Sequence, residues 1–527
     1  MHPKVLITCS GLGSRLGEIT DFTNKSLVRI GTKAAISHII DSYPSETEFV
    51  VTLGYFGSHV KQYLQIAHSN AKLSFVDVWP YNGKGSSLVK SILCAKNAIG
   101  NEPFIFNACD TLSDHDTSFN RDKNAVWIYS SKQDRSQYRT IRTKAGFAKS
   151  ILEKGESLHE DPVYIGKCYI TDTKAFWSLA DSLYLANRED SSLSDCHVIQ
   201  HMIQSNHDFV AIESSEWSDI GNLYELKKTR NRFLDSINVL EKHNESIFFI
   251  DENVVKFFSD PSIVEKRVKR ASYLPKTTPK IVNYSSNFMS YRFTEGTTVS
   301  RLKHLSPSLF SNLLSFAQDE MWSKKCDVIT DARLLCHKFY VEKTQKRASE
   351  YLSKRNMGDA ASTINGKYIH SLSELLNLSV NFGILDGDFA NFHGDFILEN
   401  IIMSNQEFVF IDWRQDFAEN IEHGDIYYDL AKLNHNLHFS HDVIKSNGYT
   451  VEFESDSSVF VDINCPYKTI SLKEELKKFC NDNGYSYKRV DALTGIIWIN
   501  MAPLHDQRLG DFLYNLGKLH LQRALES

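Results

Sequence analysis

The sequence predicts an α/β protein with more than one domain. In the first third of the chain, short β-branched runs alternate with segments of helical periodicity, which is typical of a mostly parallel sheet with helices on its faces. A Gly-rich loop follows the first run, and glycines let backbone N–H groups approach a phosphate closely. Much later, residues 393–413 contain two apolar runs around a polar turn. At 527 residues the chain is also too long for one hydrophobic core.

The predicted elements of the N-terminal half alternate along the chain. They are strands at 5–8, 27–30, 49–53, 73–78 and 104–107, with helices at 34–42 and 59–67. In such sheets, ligands bind beyond the carboxyl ends of the strands, where the loop after the first strand lies.

Four separate features of this half point to phosphate chemistry. The loop at 10–15 reads SGLGSR, and Lys25 follows it closely. By itself the loop is as compatible with a plain turn as with a phosphate site, because it satisfies neither the dinucleotide-binding fingerprint nor the Walker motif. Asp110 stands just past a strand, and Asp219 lies in WSDIGN. A lone Asp after a strand more often caps a helix or forms a turn.

Together, SGLGSRL, NKSL, the strand end at Asp110 and WSDIGN resemble the sugar-phosphate nucleotidyltransferase family, and within it the choline-phosphate cytidylyltransferase branch. The resemblance implies a Rossmann-like nucleotidyltransferase domain that uses CTP and Mg²⁺. It implies catalytic roles for Arg15 and Lys25, with Lys25 bridging the nucleotide α-phosphate and the substrate phosphate, and Mg²⁺ binding by Asp110 and Asp219. The implied nucleotide-binding residues are Gly11, Leu12, Gly13, Ser14, Lys84, Gly85 and Ser86, and the implied substrate contacts are Lys167 and Asp195.

Residues 393–413 predict a hairpin with oxygen ligands at one end. Runs at 401–403 and 408–411 flank the turn, which places Asn400 and Asp412 nearly opposite each other and Asp395 on the entering loop. Three such side chains suit a hard cation that carries a nucleoside triphosphate. Each residue alone is better explained as a turn former, but the joint spacing of His-x-Asp-x-x-x-x-Asn and Ile-Asp favours a phosphotransferase site.

This segment resembles the catalytic core of the aminoglycoside phosphotransferase and choline kinase family, which shares the protein-kinase fold. The resemblance implies that Asp395 is the catalytic base, that Asn400 and Asp412 bind Mg²⁺, and that Asp429 buttresses the core. It also implies ATP as the phosphoryl donor.

The domains expected from both resemblances are a nucleotidyltransferase at 1–241 and a two-lobed, kinase-like α+β domain at 242–527. The small lobe spans about 242–300 and the helical large lobe about 301–527. In the small lobe, Lys256 on a predicted hairpin and Glu265 on the next helix are the expected nucleotide-binding pair. By position alone Lys256 is a solvated strand residue, and Glu252 competes with Glu265.

Arg414 bears on the substrate of this second domain. It follows Trp413 at a position where choline kinases carry Glu, and an Arg there repels a cationic alcohol and favours a carboxylate, a phosphate or a polyol. We therefore expect a small hydroxylated metabolite that is phosphorylated with ATP and then joined to CMP from CTP, with release of pyrophosphate, for decoration of a surface glycan, capsule or lipid. Two alternatives stay open. One is a choline or ethanolamine kinase fused to its cytidylyltransferase, and the other is a nucleotidyltransferase with a non-catalytic kinase-like module.

Composition narrows the class of protein further. A net charge of −6 argues against a general nucleic-acid binder. Nine cysteines without a Cys-x-x-Cys pair indicate reduced thiols. We find no apolar run of membrane-spanning length and no signal peptide, so we expect a cytoplasmic protein that does not insert into membranes. The sequence leaves the oligomeric state open.

Overall fold

A computed structural model describes residues 2–114, 119–130, 136–156, 161–233, 244–274, 276–323, 331–405, 407–455 and 457–527. The chain divides into two compact units. The N-terminal unit comprises Met1–Pro261 and Val282–Tyr291, and the C-terminal unit comprises Ser262–Ile281 and Arg292–Ser527. The boundary predicted between residues 241 and 242 lies outside the described residues.

The N-terminal unit is built from strands and short helices in alternation. Its strands up to residue 219 are β1 (Lys4–Cys9), β2 (Arg29–Ile30), β3 (Lys33–Ala34), β4 (Glu48–Leu53), β5 (Lys72–Asp77), β6 (Phe104–Ala108), β7 (Thr111–Ser113), β8 (Asn124–Tyr129), β9 (Thr140–Lys144), β10 (Phe147–Leu152), β11 (Val163–Ile170), β12 (Phe209–Glu213) and β13 (Trp217–Asp219). Its helices are α1 (Ala35–Asp41), α2 (Gly57–Ala67), α3 (Leu88–Cys94), α4 (Lys96–Ile99), α5 (Thr173–Ala186), α6 (Asp195–Gln204) and α7 (Leu223–Arg232).

The main sheet is mixed. Its strand order is β5-β4-β1-β6-β11-β8-β12-β10-β9. The four strands β5, β4, β1 and β6 are parallel neighbours, whereas β11 runs antiparallel to both β6 and β8. The predicted α/β class is therefore confirmed, but the parallel pairs are those of β5, β4, β1 and β6 together with the pair of β8 and β12, and the other pairs in this sheet are antiparallel. The reason is that the described chain places no helix between β8, β9, β10 and β11, and only antiparallel strands can be joined without a crossover.

Both faces of this sheet are covered by apolar side chains. Along β1, Val5 and Ile7 belong to one buried cluster and Leu6 to another. Successive side chains of a strand point to opposite faces, so the continuous apolar run of β1 fills a core on each side.

A smaller sheet completes the N-terminal unit. Its strands, in the order β14-β15-β17-β16, are β14 (Glu245–Ile250), β15 (Asn253–Phe258), β16 (Ile281–Tyr284) and β17 (Phe288–Arg292). Phe248 lies with its ring centroid 5.0 Å from that of Tyr63 on α2, and Phe257 lies 5.1 Å from His59. Strands that the sequence prediction places in the second domain thus share the core of the first.

The C-terminal unit is mainly helical. Its helices are α8 (Pro261–Ala271), which begins one residue before the unit, α9 (Pro307–Ala317), α10 (Ala332–Cys336), α11 (Lys343–Lys354), α12 (Leu372–Phe382), α13 (Ile426–His438), α14 (His441–Lys445), α15 (Lys468–Asp482), α16 (Tyr487–Met501) and α17 (Gln507–Glu526). Its strands are β18 (Thr297–Thr298), β19 (Ser362–Ile364), β20 (Lys367–Ile369), β21 (Phe389–Ala390), β22 (Ile401–Ser404), β23 (Glu407–Phe410), β24 (Gly424–Asp425), β25 (Tyr449–Ser455) and β26 (Ser458–Ile463).

Helices α16 and α17 cross at two glycines. A Cβ atom on Gly495 would lie 2.9 Å from the carbonyl oxygen of Gly517, and one on Gly517 would lie 2.8 Å from the carbonyl oxygen of Gly495. Only glycine permits this approach. Helix α13, which carries Asp429, is almost entirely buried in this unit. Across the described part of the chain, no helix combines the length and the apolar composition needed to span a bilayer.

Candidate active sites

The first candidate site lies at the carboxyl ends of β1 and β6. These strands are parallel neighbours with Thr8 opposite Ala108, so the loop after β1 and Asp110 after β6 start from the same edge of the sheet. Strand β13 pairs with β7 and sets Asp219 opposite Thr111, the residue after Asp110. Two carboxylates that are distant in sequence are therefore brought together by one short strand pair.

The surroundings of Gly221 show how close the charged groups lie. A Cβ atom at this position would be 3.0 Å from Oδ1 of Asp219, 3.2 Å from Oδ2 of Asp110 and 3.5 Å from Nη2 of Arg15. Three side chains that were predicted from separate motifs thus surround one point.

Lys25 completes the cluster. Its Nζ atom lies 2.7 Å from Oδ2 of Asp110. The neighbouring Asn24 donates hydrogen bonds to the carbonyl oxygens of Cys9 and Tyr55, at 2.8 and 2.6 Å, and this holds the Lys25 turn against the strand ends. Gly13 has a φ of 68°, and a Cβ atom on it would lie 3.0 Å from Cβ of Lys25, so the Gly-rich loop packs directly on this lysine.

The ionisation of the two carboxylates differs. Desolvation opposes the charge on Asp110, but the ammonium of Lys25 outweighs it and holds the pKa of that carboxyl below its usual value. Desolvation and then the negative charge of Asp110 raise the pKa of Asp219. Desolvation also opposes the charge on Lys25, but Asp110 raises the pKa of the ammonium above its usual value. Opposite shifts in neighbouring groups are typical of functional sites.

The cluster fits a magnesium ion bound together with phosphates. Asp110 and Asp219 present hard oxygen ligands, and the repulsion that raises the pKa of Asp219 would be relieved by a cation between them. In the described ranges, no three His, Cys, Asp or Glu side chains are grouped as a complete metal site. Mg²⁺ is commonly held by one or two carboxylates while substrate phosphates and water supply the other ligands, so two carboxylates are sufficient.

The loop at 83–86 forms its hydrogen bonds and its ion pair with residues outside this cluster. It follows β5, which is parallel to β4, so it starts at the same edge of the sheet. Lys84 is exposed and pairs with Glu189 at 3.1 Å, while the carbonyl oxygen of Gly85 accepts a hydrogen bond from Tyr184 and Ser86 donates to the carbonyl oxygen of Gly83. Nucleotide binding by this loop stays a prediction.

The two predicted substrate contacts are enclosed by protein. Lys167 is fully buried on β11, and its Nζ atom donates to the carbonyl oxygen of Asp114 at 3.1 Å. Asp195, at the start of α6, is 4% exposed and accepts a hydrogen bond of 2.6 Å from the hydroxyl of Tyr164. Burial raises the pKa of Asp195. Substrate contact by either residue stays a prediction.

Tyr138 is a further member of the first site. Its hydroxyl donates to Oδ2 of Asp219 at 3.0 Å, while the backbone N–H of Gly221 donates to Oδ1 at 2.7 Å. Both oxygens of this carboxylate are thereby oriented. Sequence reasoning missed Tyr138 because it belongs to no motif and only the folded chain brings it to Asp219.

The second candidate site surrounds the His-Gly-Asp loop of the C-terminal unit. Asp429 is fully buried and accepts hydrogen bonds from the backbone N–H groups of His393 and Gly394, both at 2.6 Å, and from Nε1 of Trp322 at 3.1 Å. Burial raises the pKa of Asp429 to about 6, although these hydrogen bonds favour the charged form. Asp429 therefore fixes the backbone that carries Asp395.

Asp395 is poised as an ionised, accessible carboxylate. It pairs with Nζ of Lys432 at 2.8 Å, and Nδ2 of Asn400 donates to its Oδ2 at 2.9 Å. Burial opposes its charge, but Lys432 lowers its pKa below the usual value. Sequence reasoning missed Lys432, although its place three residues after Asp429 on α13 puts both on one helix face.

The predicted hairpin is present. Strands β22 and β23 pair with Ile401 opposite Phe410, and the N–H of Ile411 donates to the carbonyl oxygen of Asn400 at 2.9 Å. Asp412 follows Ile411 with a φ of 60°. Because Ile411 is hydrogen-bonded to Asn400, Asn400 and Asp412 lie at the same end of the hairpin.

Helix α8 presents an arginine to this end. Arg267 forms an ion pair with Asp412, whereas the predicted Glu265 is exposed. Side chains two positions apart on a helix point in nearly opposite directions, so an exposed Glu265 places Arg267 inward. Lys256 is buried on β15 in the N-terminal unit and Glu265 belongs to the C-terminal unit, so their pairing stays a prediction.

Comparison with known proteins bears on the N-terminal half. The chain matches no protein-family model. It is 29% identical over 196 residues to the probable glucose-1-phosphate cytidylyltransferase of Bacillus subtilis, a match that covers 33% of this chain and 76% of that protein. It is 23% identical over 251 residues to the bifunctional protein GlmU of Methanocaldococcus jannaschii, which covers 47% of this chain and 58% of that protein.

Among solved structures, the CTP:phosphocholine cytidylyltransferase of Streptococcus pneumoniae aligns with a TM-score of 0.38 and 16% identity over 44% of this chain and all of that one. The N-terminal half thus resembles the sugar-phosphate nucleotidyltransferases in sequence. The chain spans only a little over half of the GlmU protein.

Proposed function

We propose that this chain is a bifunctional enzyme. The N-terminal unit transfers CMP from CTP to the phosphate of a small substrate and releases pyrophosphate, and the C-terminal unit phosphorylates an alcohol with ATP. The observation that carries the first activity is the meeting of Arg15, Lys25, Asp110 and Asp219 beside the Gly-rich loop. The sequence similarity to a cytidylyltransferase supports CTP as the nucleotide.

Nucleotidyl transfer needs positioning and charge neutralisation rather than a base. An oxygen of the substrate phosphate, already a nucleophile, forms a bond to the α-phosphorus of CTP while the bond to pyrophosphate breaks. Arg15 and Lys25 supply positive charge for the phosphate oxygens, and Tyr138 holds the carboxylate of Asp219 in place. Magnesium bound by Asp110 and Asp219 would neutralise further phosphate charge.

The second activity is supported by the arrangement around Asp395. Its ionised carboxylate is 36% exposed and can accept the proton of an alcohol. Asn400 and Asp412 lie at the same end of the hairpin and have the oxygen ligands that suit Mg²⁺ with ATP. The alcohol phosphate made there would be the substrate of the N-terminal unit, and the CDP-linked product would serve the decoration of a surface glycan, capsule or lipid.

A second candidate function is a nucleotidyltransferase with a non-catalytic C-terminal module. The ion pair between Arg267 and Asp412 favours it, because that carboxylate is already neutralised by a side chain. The two candidates differ in one measurable outcome, which is ATP consumption.

The test assays two variants of the full chain with Mg²⁺, ATP, CTP and a panel of small alcohols. We expect Asp110→Ala to lower pyrophosphate release by about 100-fold or more and to leave ADP formation intact. Asp395→Ala should lower ADP formation by a similar factor, and with it the pyrophosphate release that depends on the alcohol phosphate, whereas adding the alcohol phosphates directly should restore pyrophosphate release. Asp122→Ala, at an exposed position, is the control. Mass analysis of any CDP-linked product identifies the substrate. Alcohol-dependent ADP formation that survives Asp395→Ala would overturn the kinase assignment, and pyrophosphate release that survives Asp110→Ala would overturn the nucleotidyltransferase assignment.

A further inference from the structure

Two cationic side chains share one aromatic ring close to the Asp395 loop. The ring of Phe339 stacks on that of Phe417, with centroids 4.2 Å apart and 24° between the planes. Nζ of Lys343 lies 4.1 Å from the Phe339 centroid, and the guanidinium carbon of Arg414 lies 5.1 Å from it. Both cations therefore lie against one aromatic ring, on which Phe417 also stacks.

Two more cations act on Lys343. Arg347 lies one helical turn after Lys343 on α11, and Lys432 lies on α13. Like charges four residues apart destabilise a helix, so this arrangement is unfavourable in the free protein. Partial burial, and then the charges of Arg414, Arg347 and Lys432, lower the pKa of Lys343 well below its usual value.

Among the described residues, no carboxylate forms an ion pair with Lys343, Arg347 or Arg414. Arg347 donates to the carbonyl oxygen of Asn500 at 3.0 Å, and Nε of Arg414 donates to the carbonyl oxygen of Asp416 at 3.0 Å. The carboxylate of Asp416 itself pairs with Lys266, at 2.9 Å. In the described part of the chain, none of these three partly buried cations has a carboxylate within ion-pair distance, and Asp416 and Glu350 act on Lys343 and Arg347 only from farther away, so a ligand that brings negative charge would stabilise the cluster.

The cationic cluster lies next to the predicted catalytic base. The backbone N–H of Arg414 donates to the carbonyl oxygen of His393 at 2.9 Å, and the side chain of Arg414 packs against Gly394, the residue before Asp395. Lys432 contacts Asp395 directly, at 2.8 Å. An anionic group held by the cluster would therefore leave the rest of a small molecule near Asp395.

We propose that the acceptor phosphorylated at Asp395 is an anionic alcohol, either a hydroxy acid or the phosphomonoester of a polyol, whose carboxylate or phosphate binds Lys343, Arg347 and Arg414. The inference rests on the proposed kinase activity and specifies its substrate class. In the reaction, the acceptor hydroxyl oxygen bonds to the γ-phosphorus of ATP, the bond between that phosphorus and the bridging oxygen breaks, ADP leaves, and the hydroxyl proton passes to Asp395. A choline-like cation is disfavoured, because it would meet like charges at this cluster.

The test compares alcohols that differ in charge but little in shape. The full chain with Mg²⁺ and ATP is given glycerol, glycerate, glycerol phosphate, sorbitol, gluconate and choline, and ADP formation is measured. We expect kcat/KM to be about 100-fold higher for the anionic members, with the glycerate and glycerol phosphate arms separating a carboxylate site from a phosphate site. Lys343→Gln and Arg414→Gln should raise KM for the anion about tenfold and change kcat less.

The matched control is Lys346→Gln, because Lys346 lies on the same helix α11 but is exposed. It should leave both constants unchanged. If glycerol, sorbitol or choline were turned over as well as or better than the anionic alcohols, the proposal would be overturned while the kinase activity stands. A KM for the anion that is unchanged in Lys343→Gln would also overturn it.

Calorimetric binding of glycerate, gluconate and glycerol phosphate separates this inference from the kinase assignment. The protein could bind these anions, and lose that binding in Lys343→Gln, yet form no ADP with any alcohol. This outcome would overturn the kinase assignment but support the anion site. Absence of both ADP formation and such binding would overturn the inference.

Discussion

Replacing Asp429 by Asn tests how the second site is held in place. The carboxylate accepts two backbone hydrogen bonds of 2.6 Å, from His393 and Gly394, and one of 3.1 Å from Trp322. Asn has nearly the same shape but only one acceptor oxygen. Its NH₂ group would therefore face at least one buried N–H, and neither that N–H nor the NH₂ group would have an acceptor.

The cost follows from these contacts. Each buried donor left without a partner destabilises the fold by about 1–3 kcal/mol, so Asp429→Asn should lower the free energy of unfolding of the C-terminal unit by about 2–5 kcal/mol. The affected backbone leads directly into Asp395, and a misplacement of about 1 Å at a reacting group costs about 100-fold in rate. ADP formation should fall by about that factor.

The assay follows both activities and local stability in one preparation. Hydrogen exchange of residues 389–400 should accelerate, and ADP formation should fall, while pyrophosphate release from CTP and a directly supplied alcohol phosphate stays unchanged. Asp442→Asn, an exposed position in the same unit, is the matched control. Unchanged exchange and unchanged ADP formation in the Asp429 variant would refute the reasoning.

Three further outcomes follow from the structure. Because the pKa of Asp429 is raised to about 6 in the folded chain and is about 3.9 when unfolded, the folded state binds the extra proton between these values. Its contribution to the free energy of unfolding should therefore fall by about 3 kcal/mol as pH rises from about 4 to 6, a dependence that urea titrations should find missing in Asp429→Asn. Tyr138→Phe should raise the Mg²⁺ concentration for half-maximal pyrophosphate release about tenfold, because the hydroxyl that orients Asp219 is lost. The control Tyr224→Phe, at an exposed position, should leave that concentration unchanged. Phe248→Ala should destabilise the N-terminal unit by about 3–5 kcal/mol, and a loss below about 1 kcal/mol in denaturant unfolding would contradict the shared core of the two sheets.

Motifs with fixed local spacing were the reliable part of the sequence. The strand before the Gly-rich loop and the hairpin after Asn400 were both predictable, because strand and turn preferences act over a few residues. Arg267 and Tyr138 were missed. Each contacts a carboxylate that is far away in the sequence, Asp412 for Arg267 and Asp219 for Tyr138. The residues next to them in the sequence form no motif that would predict such a contact.

The packing of β14 and β15 was not visible in local sequence patterns either. Strands β14 and β15 read as the start of a second domain, yet Phe248 packs on Tyr63 of α2. The aromatic residues of α2 were visible in the sequence, but their choice of partner was not, since apolar burial is non-directional and any apolar strand would have served.

The sequence by itself determined the α/β class, the loops that carry Gly13 and Asp395, and the chemical type of the side chains in both candidate sites. The tertiary structure alone decided which of them meet. Strand pairing between β7 and β13 places Asp219 beside Asp110, and the ring of Phe339 brings Lys343 and Arg414 together near the Asp395 loop. Local preferences select conformations of short segments, whereas charge clusters arise from contacts between segments that are remote in the chain, and those contacts are fixed only when the core closes.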